Sequence, residues 1–560
     1  MKFKFIAPSF RGKKNVWLIV SFLLPLSFLF VFFFYPLINI IRFAFFGSNG
    51  FSLKSFLAVL SDSYTLRVLA FTFKESFLSA AITLLIALPG AYIISHFRFK
   101  GRDALVSLAT IPFILPSVLV ALGFIILFGR SGMVNTFLIK ILHFHHPVNL
   151  LYSFWGIILV HVFYNFPIPL RIIGASWDGL PKKYSFAAQS LGASNLEVFF
   201  KVTLPLLLPS VISSFTLVFM FCFLSFVIIL VIGGAKFATL EVSIYTYYNM
   251  FFDFKTGSAL ALIQAAFTLL FVYVYMKTGS FAEKSEEKRE IYEYKSLFEN
   301  RKSFIFSTIY LIFVFPVIFL PLIVIFASSF TNPVTSEFTL SNFIDLFSGK
   351  FTYITSIGIY RVILNSIFFA LFATALSTIF AVMISYSVKK LSKLKDFLVA
   401  LLMLPIAISP VTIAFSYILT FRNTPVINSW LVIASAHTVI AFPFALKTLY
   451  PSVERMPRSL VYAAQSLGMN RLKTFFAVDL NLLRLPIIVS SIFVFAISLG
   501  EFGATFMLYK NKYITMPVAL YRFISGRHFG IASAIGAVLS LMALLIFFLI
   551  DKFRKEVSVI

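Results

Sequence analysis

The sequence predicts an all-α membrane protein of about twelve transmembrane helices, arranged as two parallel six-helix repeats. Three observations carry this. The 560 residues are 60% hydrophobic, 18% aromatic and only 12% charged, against about 45–50% apolar and about 25% charged in ordinary soluble domains. Apolar stretches of about 20 residues, the length that crosses the hydrocarbon core, recur along the whole chain. One polar block between them occurs twice at a fixed spacing.

The first stretch follows a basic start (Lys2, Lys4, Arg11, Lys13, Lys14) and runs from Val16 to near Ile41, with Pro25 and Pro36 inside it. That is longer than the apolar core of a cleaved signal segment, so it reads as a retained first span. Further spans are expected near 77–97, 105–128, 150–175, 206–232 and 257–276, and again near 304–330, 364–388, 397–420, 427–449, 486–508 and 530–551. The stretch Lys277 to Lys302 is rich in both charge signs. It reads as a cytoplasmic linker, 277–303, between halves 1–276 and 304–560, the other reading being a solvated amphipathic helix with its own partner. With the N-tail cytoplasmic, segments on that side hold 32 of the 47 Lys and Arg, the positive-inside bias. The net charge of +26 is therefore a matter of topology, and no nucleic-acid partner is expected. A single cysteine, Cys222, excludes a disulfide framework and Cys-based metal clusters, and no catalytic set, cofactor or resident metal is expected.

Comparing the halves, Phe166-Pro167 reappears as Phe442-Pro443, Pro181 as Pro457, and Ala187–Gly192 (AAQSLG) as Ala463–Gly468, all at an offset of 276. Over residues 166–192, eleven of 27 are identical in 442–468. Two units copied in parallel orientation form a pseudo-dimer about an axis along the membrane normal, whose interface is the natural pathway. In the first copy Pro181 suits a helix start and Gly192 a left-handed stop. Ser194 then caps a second helix with Glu197 completing a capping box. Pro457, Gly468 and Asn470 take those roles in the second copy. The alternative, that AAQSLG is helix-packing glue, does not explain a repeated block in a polar loop with the same proline and glycine boundaries.

The run Ala187, Ala188, Gly192, Val202, Leu204, Pro205 resembles the EAA loop of the permease subunits of binding-protein-dependent ATP-binding-cassette importers. Ala463, Ala464 and Gly468 repeat it. The family's leading Glu is Phe186 here and Tyr462 in the second copy, and its final Pro is Asn481 in the second. The resemblance implies the type I importer permease fold, with coupling loops at 176–205 and 450–485 seated on two copies of a separate ATPase. It further implies an extracytoplasmic solute-binding protein and a bacterial or archaeal cytoplasmic membrane with both termini inside. No GxxxxGK[ST] phosphate loop occurs in the chain, so ATP hydrolysis is expected elsewhere. The segments from His161, Phe219, Ala261 (ALIQ) and Ser498 (SLGEFGAT) look most like the fused thiamine permeases, with ferric iron permeases of the same family as the alternative.

Candidate pathway or gate residues are the ionisable groups inside spans, which are costly there and face a bundle interior or cavity. His161 and His437, again 276 apart, either line the pathway or are neutral imidazoles bonded to neighbouring helices. Glu501, whose counterpart is Ser225, is expected on span eleven as a gate or cation-attracting carboxylate, or as a local salt bridge or helix-end hydrogen bond. Pro112, Pro116, Pro405 and Pro410 would bend spans three and nine. His143, His145 and His146 read as a solvated outer loop rather than a metal site. An ion-coupled secondary transporter is the competing class; it predicts inverted repeats and midplane coupling carboxylates, and the repeat here is parallel.

Overall fold

The computed structural model describes residues 16–47, 50–286, 295–296, 301–332, 335, 337–389 and 395–557. Ten of its helices are long and apolar enough to cross a bilayer; the pair Phe154–Asn165 and Pro167–Asp178, bent by 46°, makes a further span, and Pro410–Phe421 is a shorter apolar helix. In chain order, spans 1 to 6 are Val20–Phe45, Ser63–His96, Ser117–Lys140, the bent pair, Asn195–Phe223 and Phe254–Thr278. Spans 7 to 12 are Ser303–Ser329, Thr352–Val388, Pro410–Phe421, Trp430–Glu454, Phe475–Leu499 and Phe529–Ile546. Ten of the twelve expected stretches reappear as long apolar helices and the bent pair as an eleventh, whereas expected span 9 holds the shorter apolar helix Pro410–Phe421; three differences are instructive.

Span 2 begins at Ser63 rather than 77, capped by Asp62, whose Oδ2 accepts from Thr65 N at 2.9 Å. Arg67, Lys74 and Glu75 in its first turns dilute the hydropathy that was used to find it. Spans 3 and 9 are broken at their prolines. Ser117–Phe128 starts after Pro116, and a short 3₁₀ turn, Leu404–Ala407, precedes Pro410–Phe421, because a proline neither donates the helical bond nor tolerates the preceding carbonyl. Spans 5 and 11, expected to reach 232 and 508, stop at Phe223 and Leu499. After each stop the chain forms short helices before the next span: Ile229–Gly233 and Leu240–Asn249 in the first repeat, Gly503–Leu508 and Met516–Ser525 in the second. Equivalent bonds hold both. Leu240 N donates to Thr72 Oγ1 at 3.1 Å, and Met516 N to Ser366 Oγ at 2.7 Å. These bonds align spans 2 and 8 at an offset of 294.

The first span of each repeat packs on the other repeat. Ser21 Oγ lies 2.9 Å from Ser387 Oγ on span 8, and Asn39 Nδ2 donates to Thr420 Oγ1 on span 9 at 3.0 Å. Reciprocally, Tyr310 OH of span 7 donates to Ile86 O of span 2 at 2.8 Å. Span 7 also presses so close to span 3 that a Cβ at Gly123 would meet Pro321 O at 2.7 Å. Small residues permit such backbone approach where lipid gives helices no hydrophobic reason to associate. The most apolar stretch of span 10 is 72% buried within the protein and that of span 7 only 22%, so span 10 is central and span 7 presents Ile312, Phe313 and Ile323 to lipid. The linker falls partly outside the described residues. Its helix continues from span 6 to Glu286, and Lys295–Ser296 pairs in parallel with Phe97–Arg98.

The exchange of first spans predicts that cysteines at positions 21 and 387, in a Cys222→Ser background, form a disulfide on mild oxidation, since a bridge needs Cβ atoms about 3.5–4.5 Å apart. A cut in the 277–303 linker should then leave the two halves joined on a non-reducing gel; complete separation would contradict the exchange.

Candidate functional site

The buried polar groups gather where spans 5 and 11 stop. His161 on span 4 is 1% exposed. Its Nδ1 lies 2.5 Å from Glu75 Oε1 of span 2, and its Nε2 2.8 Å from Ser225 Oγ in the break after span 5. Ser79 Oγ donates to the same Glu75 oxygen at 2.7 Å. In the second repeat His437, equally buried, has Ser498 Oγ 2.7 Å from Nδ1 and Thr505 Oγ1 2.7 Å from Nε2. Glu501 Oε2 stands 3.3 Å from the same Nε2.

Glu501 lies beyond the end of span 11, in the break between Leu499 and Gly503. Its oxygens accept from Ala504 N at 2.7 Å, Thr505 N at 3.0 Å and Thr505 Oγ1 at 2.6 Å. The carboxylate therefore caps the first turn of Gly503–Leu508, satisfying N–H groups that have no intrahelical partner. Each histidine thus has a carboxylate, but from a different element. Ser225 stands in the first repeat where Glu501 stands in the second, and at the offset of 294 Phe369 replaces Glu75, its ring 5.8 Å from that of His437.

Sequence reading missed Glu75, because span 2 was started two residues past it, and it missed Glu241. The latter is fully buried at the second position of Leu240–Asn249. Its Oε1 accepts from Gln264 Nε2 of span 6 at 2.8 Å, and Gln264 Oε1 accepts from Thr412 Oγ1 of span 9 at 3.2 Å. The signal was present in the ALIQ segment, whose Gln264 is a polar residue in an apolar span.

Above this network lies a cleft of about 770 Å³ lined by both repeats, including Tyr245, Tyr248 and Asn249 from the first and Phe506, Tyr509 and Tyr513 from the second. Aromatic rings close its floor. Phe502 stacks on Phe506 at 4.9 Å, Tyr521 meets Phe506 edge-on at 4.8 Å, and Phe226 and Tyr245 join from the first repeat at 6.2 and 5.6 Å. His143, His145 and His146 are exposed in a different loop.

On the opposite face are the repeated loops. Lys182–Ser190 ends with Gly192 at φ +88°, and Arg458–Ser466 with Gly468 at φ +84°. Ala193 N donates to Ala188 O at 3.0 Å, and Met469 N to Ala464 O at 3.1 Å, the left-handed stop expected of glycine. Ser194 and Glu197 form the capping box with both bonds present. Glu197 Oε1 also accepts from Lys201 Nζ at 3.0 Å. Pro181 and Pro457 sit one residue before the helices, at the N-cap rather than in the first turn. Pro205 lies inside the continuous helix Asn195–Phe223, just past a π-turn at Phe199–Thr203. The second repeat has the same π-turn, Phe475–Asp479, with Asn481 in the proline's place, so the proline does not cause it. Each loop exposes apolar side chains: Tyr184, Phe186, Leu191 and Leu196 in one, Leu460, Tyr462 and Leu467 in the other, with Leu191 89% and Leu467 86% exposed.

The chain thus carries a doubled helix–turn–helix on one face and a cleft lined by both repeats on the other. Residues 82–278 match the family model described as the inner membrane component of binding-protein-dependent transport systems. Over those residues the chain is thus similar to the permease components of such transport systems. Its relatives extend the match over both repeats. The thiamine transport system permease protein of Brucella abortus is 25% identical over 526 residues, 91% of each chain, and that of Escherichia coli 25% over 505 residues, 89% of this chain and 90% of the relative. A ferric transport system permease protein of Actinobacillus pleuropneumoniae is 26% identical over 541 residues, 93% of this chain and 76% of the relative. These relatives are permeases, not enzymes.

Removing one partner of a buried pair costs about 3–5 kcal/mol, so Glu75→Leu should lower the melting midpoint of the detergent-solubilised protein strongly. Adding His161→Leu should restore part of the loss. Additive losses in the double variant would show that the two side chains do not form a unit.

Proposed function

We propose that this chain forms the transmembrane pathway of an ATP-driven importer for thiamine, with the solute delivered by an extracytoplasmic binding protein. The halves 1–276 and 304–560 are related by a pseudo-twofold axis along the membrane normal, with both termini and the 277–303 linker in the cytoplasm. Two copies of a separate ATPase dock on the loops 176–205 and 450–485. Ala187, Ala188, Gly192 and Pro205 shape the first loop, and Ala463, Ala464 and Gly468 the second. His161 with Ser225 and His437 with Glu501 brace the helix breaks that flank the pathway.

The observation that carries the reading is the pair of loops itself. Leu191 and Leu467 stand at equivalent tips, almost wholly exposed, in loops that expose further apolar side chains, and exposed apolar patches rimmed by polar residues mark sites of protein association. Phe186 and Tyr462, at the positions of the absent glutamate, enlarge that patch, so docking here is more apolar than ionic. For the solute, relatives of thiamine systems cover nine tenths of the chain. The cleft lined by Tyr245, Tyr248, Phe506, Tyr509 and Tyr513 suits a solute with aromatic rings, which stack on such side chains, better than a hydrated ferric ion.

Leu191→Asp and Leu467→Asp should each weaken copurification with the ATPase, and the double variant should abolish it. Gly192→Val or Gly468→Val should cut thiamine uptake at least about tenfold, since a β-branched residue at φ near +85° is strained. Normal copurification of the double aspartate variant, or parental uptake by both valine variants, would refute the docking assignment.

A further inference from the structure

We propose that Glu241 is the pathway's binding group for an organic cation, held shut against the second repeat until the halves part. The inference rests on the reading above, that the chain carries thiamine, whose thiazolium ring is positively charged.

Four carboxylates are buried among the membrane-embedded helices described; Asp479 stands in the π-turn at the loop end of span 11, and the other three belong to the network beneath the cleft. Both oxygens of Glu501 are taken by Ala504 and Thr505. Glu75 is engaged by Ser76, Ser79 and His161. Glu241 differs: Oε1 has Gln264, while Oε2 has no partner in hydrogen-bond geometry although the residue is 0% exposed. Thr239 Oγ1, just before that short helix, and Ser243 Oγ on it are also buried without partners, as is Ser258 Oγ on span 6. Buried polar atoms are satisfied in the great majority of cases, and the exceptions call for a role.

Position supplies the role. Tyr245, Tyr248 and Asn249 line the outer cleft, and Glu241 lies one turn below Tyr245 on the same helix face, about 12 Å beneath Asn249 at 1.5 Å per residue. A solute descending from the cleft through the ring cluster of Phe226, Tyr245, Phe502, Phe506 and Tyr521 reaches this carboxylate next. Cationic rings are attracted to aromatic faces, so the same cluster forms a cation-compatible path. Lys510 and Lys512 stand at the exposed rim, where like charge attracts no cation, so charge selection belongs to the carboxylate and not to the mouth.

The network also explains how the group is released. Gln264 Oε1 accepts from Thr412 of the second repeat, and Ser409, whose hydroxyl accepts from Thr412 N at 3.0 Å, faces the Glu241 carboxyl. Glu241, Gln264 and Thr412 thus form a polar chain across the interface. When the repeats separate on the outer side, Thr412 and Ser409 leave, and the carboxylate takes the cation in their place. The second repeat has Pro517 where the first has Glu241 and Ser540 where it has Gln264, so the site is single and off the pseudo-axis.

The test uses the full chain reconstituted in vesicles with its ATPase and binding protein. Per assembled complex, Glu241→Gln should lower the initial rate of thiamine uptake at least about tenfold, a loss in the range set by leaving one charge of a buried pair unpaired, and Glu241→Asp should recover a substantial part. In the parental complex, labelling of Glu241 by a hydrophobic carbodiimide, mapped by mass spectrometry, should fall several-fold when ATP and saturating thiamine are present; this arm stands even if the variants do not assemble. Uptake by E241Q at the parental rate, or labelling indifferent to thiamine while uptake is active, overturns the assignment alone. A parental complex that moves no thiamine overturns the substrate reading and the assignment with it.

Discussion

A bilayer offers no water to an unpaired N–H, so every interruption of a spanning helix must be satisfied from within the protein. The architecture depends on that constraint. Spans 5 and 11 stop short, and the helices that follow are pinned by side chains from elsewhere: Thr72 on Leu240 N, Ser366 on Met516 N, Glu501 on Ala504 N and Thr505 N, and Ser409 on Thr412 N before span 9. Each short polar residue is thereby committed to a backbone position, and together they decide where the interior can be polar at all. The histidines follow from the same rule. A ring nitrogen needs a partner on each side, and His161 and His437 obtain theirs from the breaks and the spans that enclose them.

Seen this way, the two repeats share a scaffold and divide the charges. The equivalent bonds at Thr72 and Ser366 keep the backbones alike, while the carboxylates differ: Glu75 and Glu241 in the first repeat, Glu501 in the second. A duplicated chain is free to vary such positions once the backbone N–H groups are covered, because a serine or an ordered neighbour can complete one histidine as well as a carboxylate completes the other. The exchange of first spans, seen at Ser21 with Ser387 and Tyr310 with Ile86, ties the repeats together away from the cleft that both of them line.

Much of this was legible in the sequence. The twelve apolar stretches, the prolines that break spans 3 and 9, the left-handed glycines at 192 and 468 and the Ser194–Glu197 box each follow from local chemistry, and local chemistry is what a single sequence displays. Span ends were less legible. Hydropathy averages over a window, so the charged first turns of span 2 hid Glu75, and the apolar re-entrant residues after Phe223 and Leu499 prolonged spans 5 and 11 past their true stops. Glu501 was consequently placed on a span when it caps a short helix. Glu241 was hinted at only by its partner Gln264, a polar residue in an apolar span; its own meaning lies in contacts with Gln264 and, through it, Thr412, 148 residues further along the chain, and no local pattern encodes those.

The central claim is that the loops and the cleft move in opposition, driven from the loop side. Distances between spin labels decide it most directly, using one pair at the loop tips, positions 191 and 467, and a second across the cleft mouth, positions 249 and 512, in a Cys222→Ser background of the complete transporter. Trapping the ATPases closed with a non-hydrolysable nucleotide should shorten the first distance and lengthen the second. A loop distance that shortens while the cleft distance stays fixed or shortens with it would contradict the account.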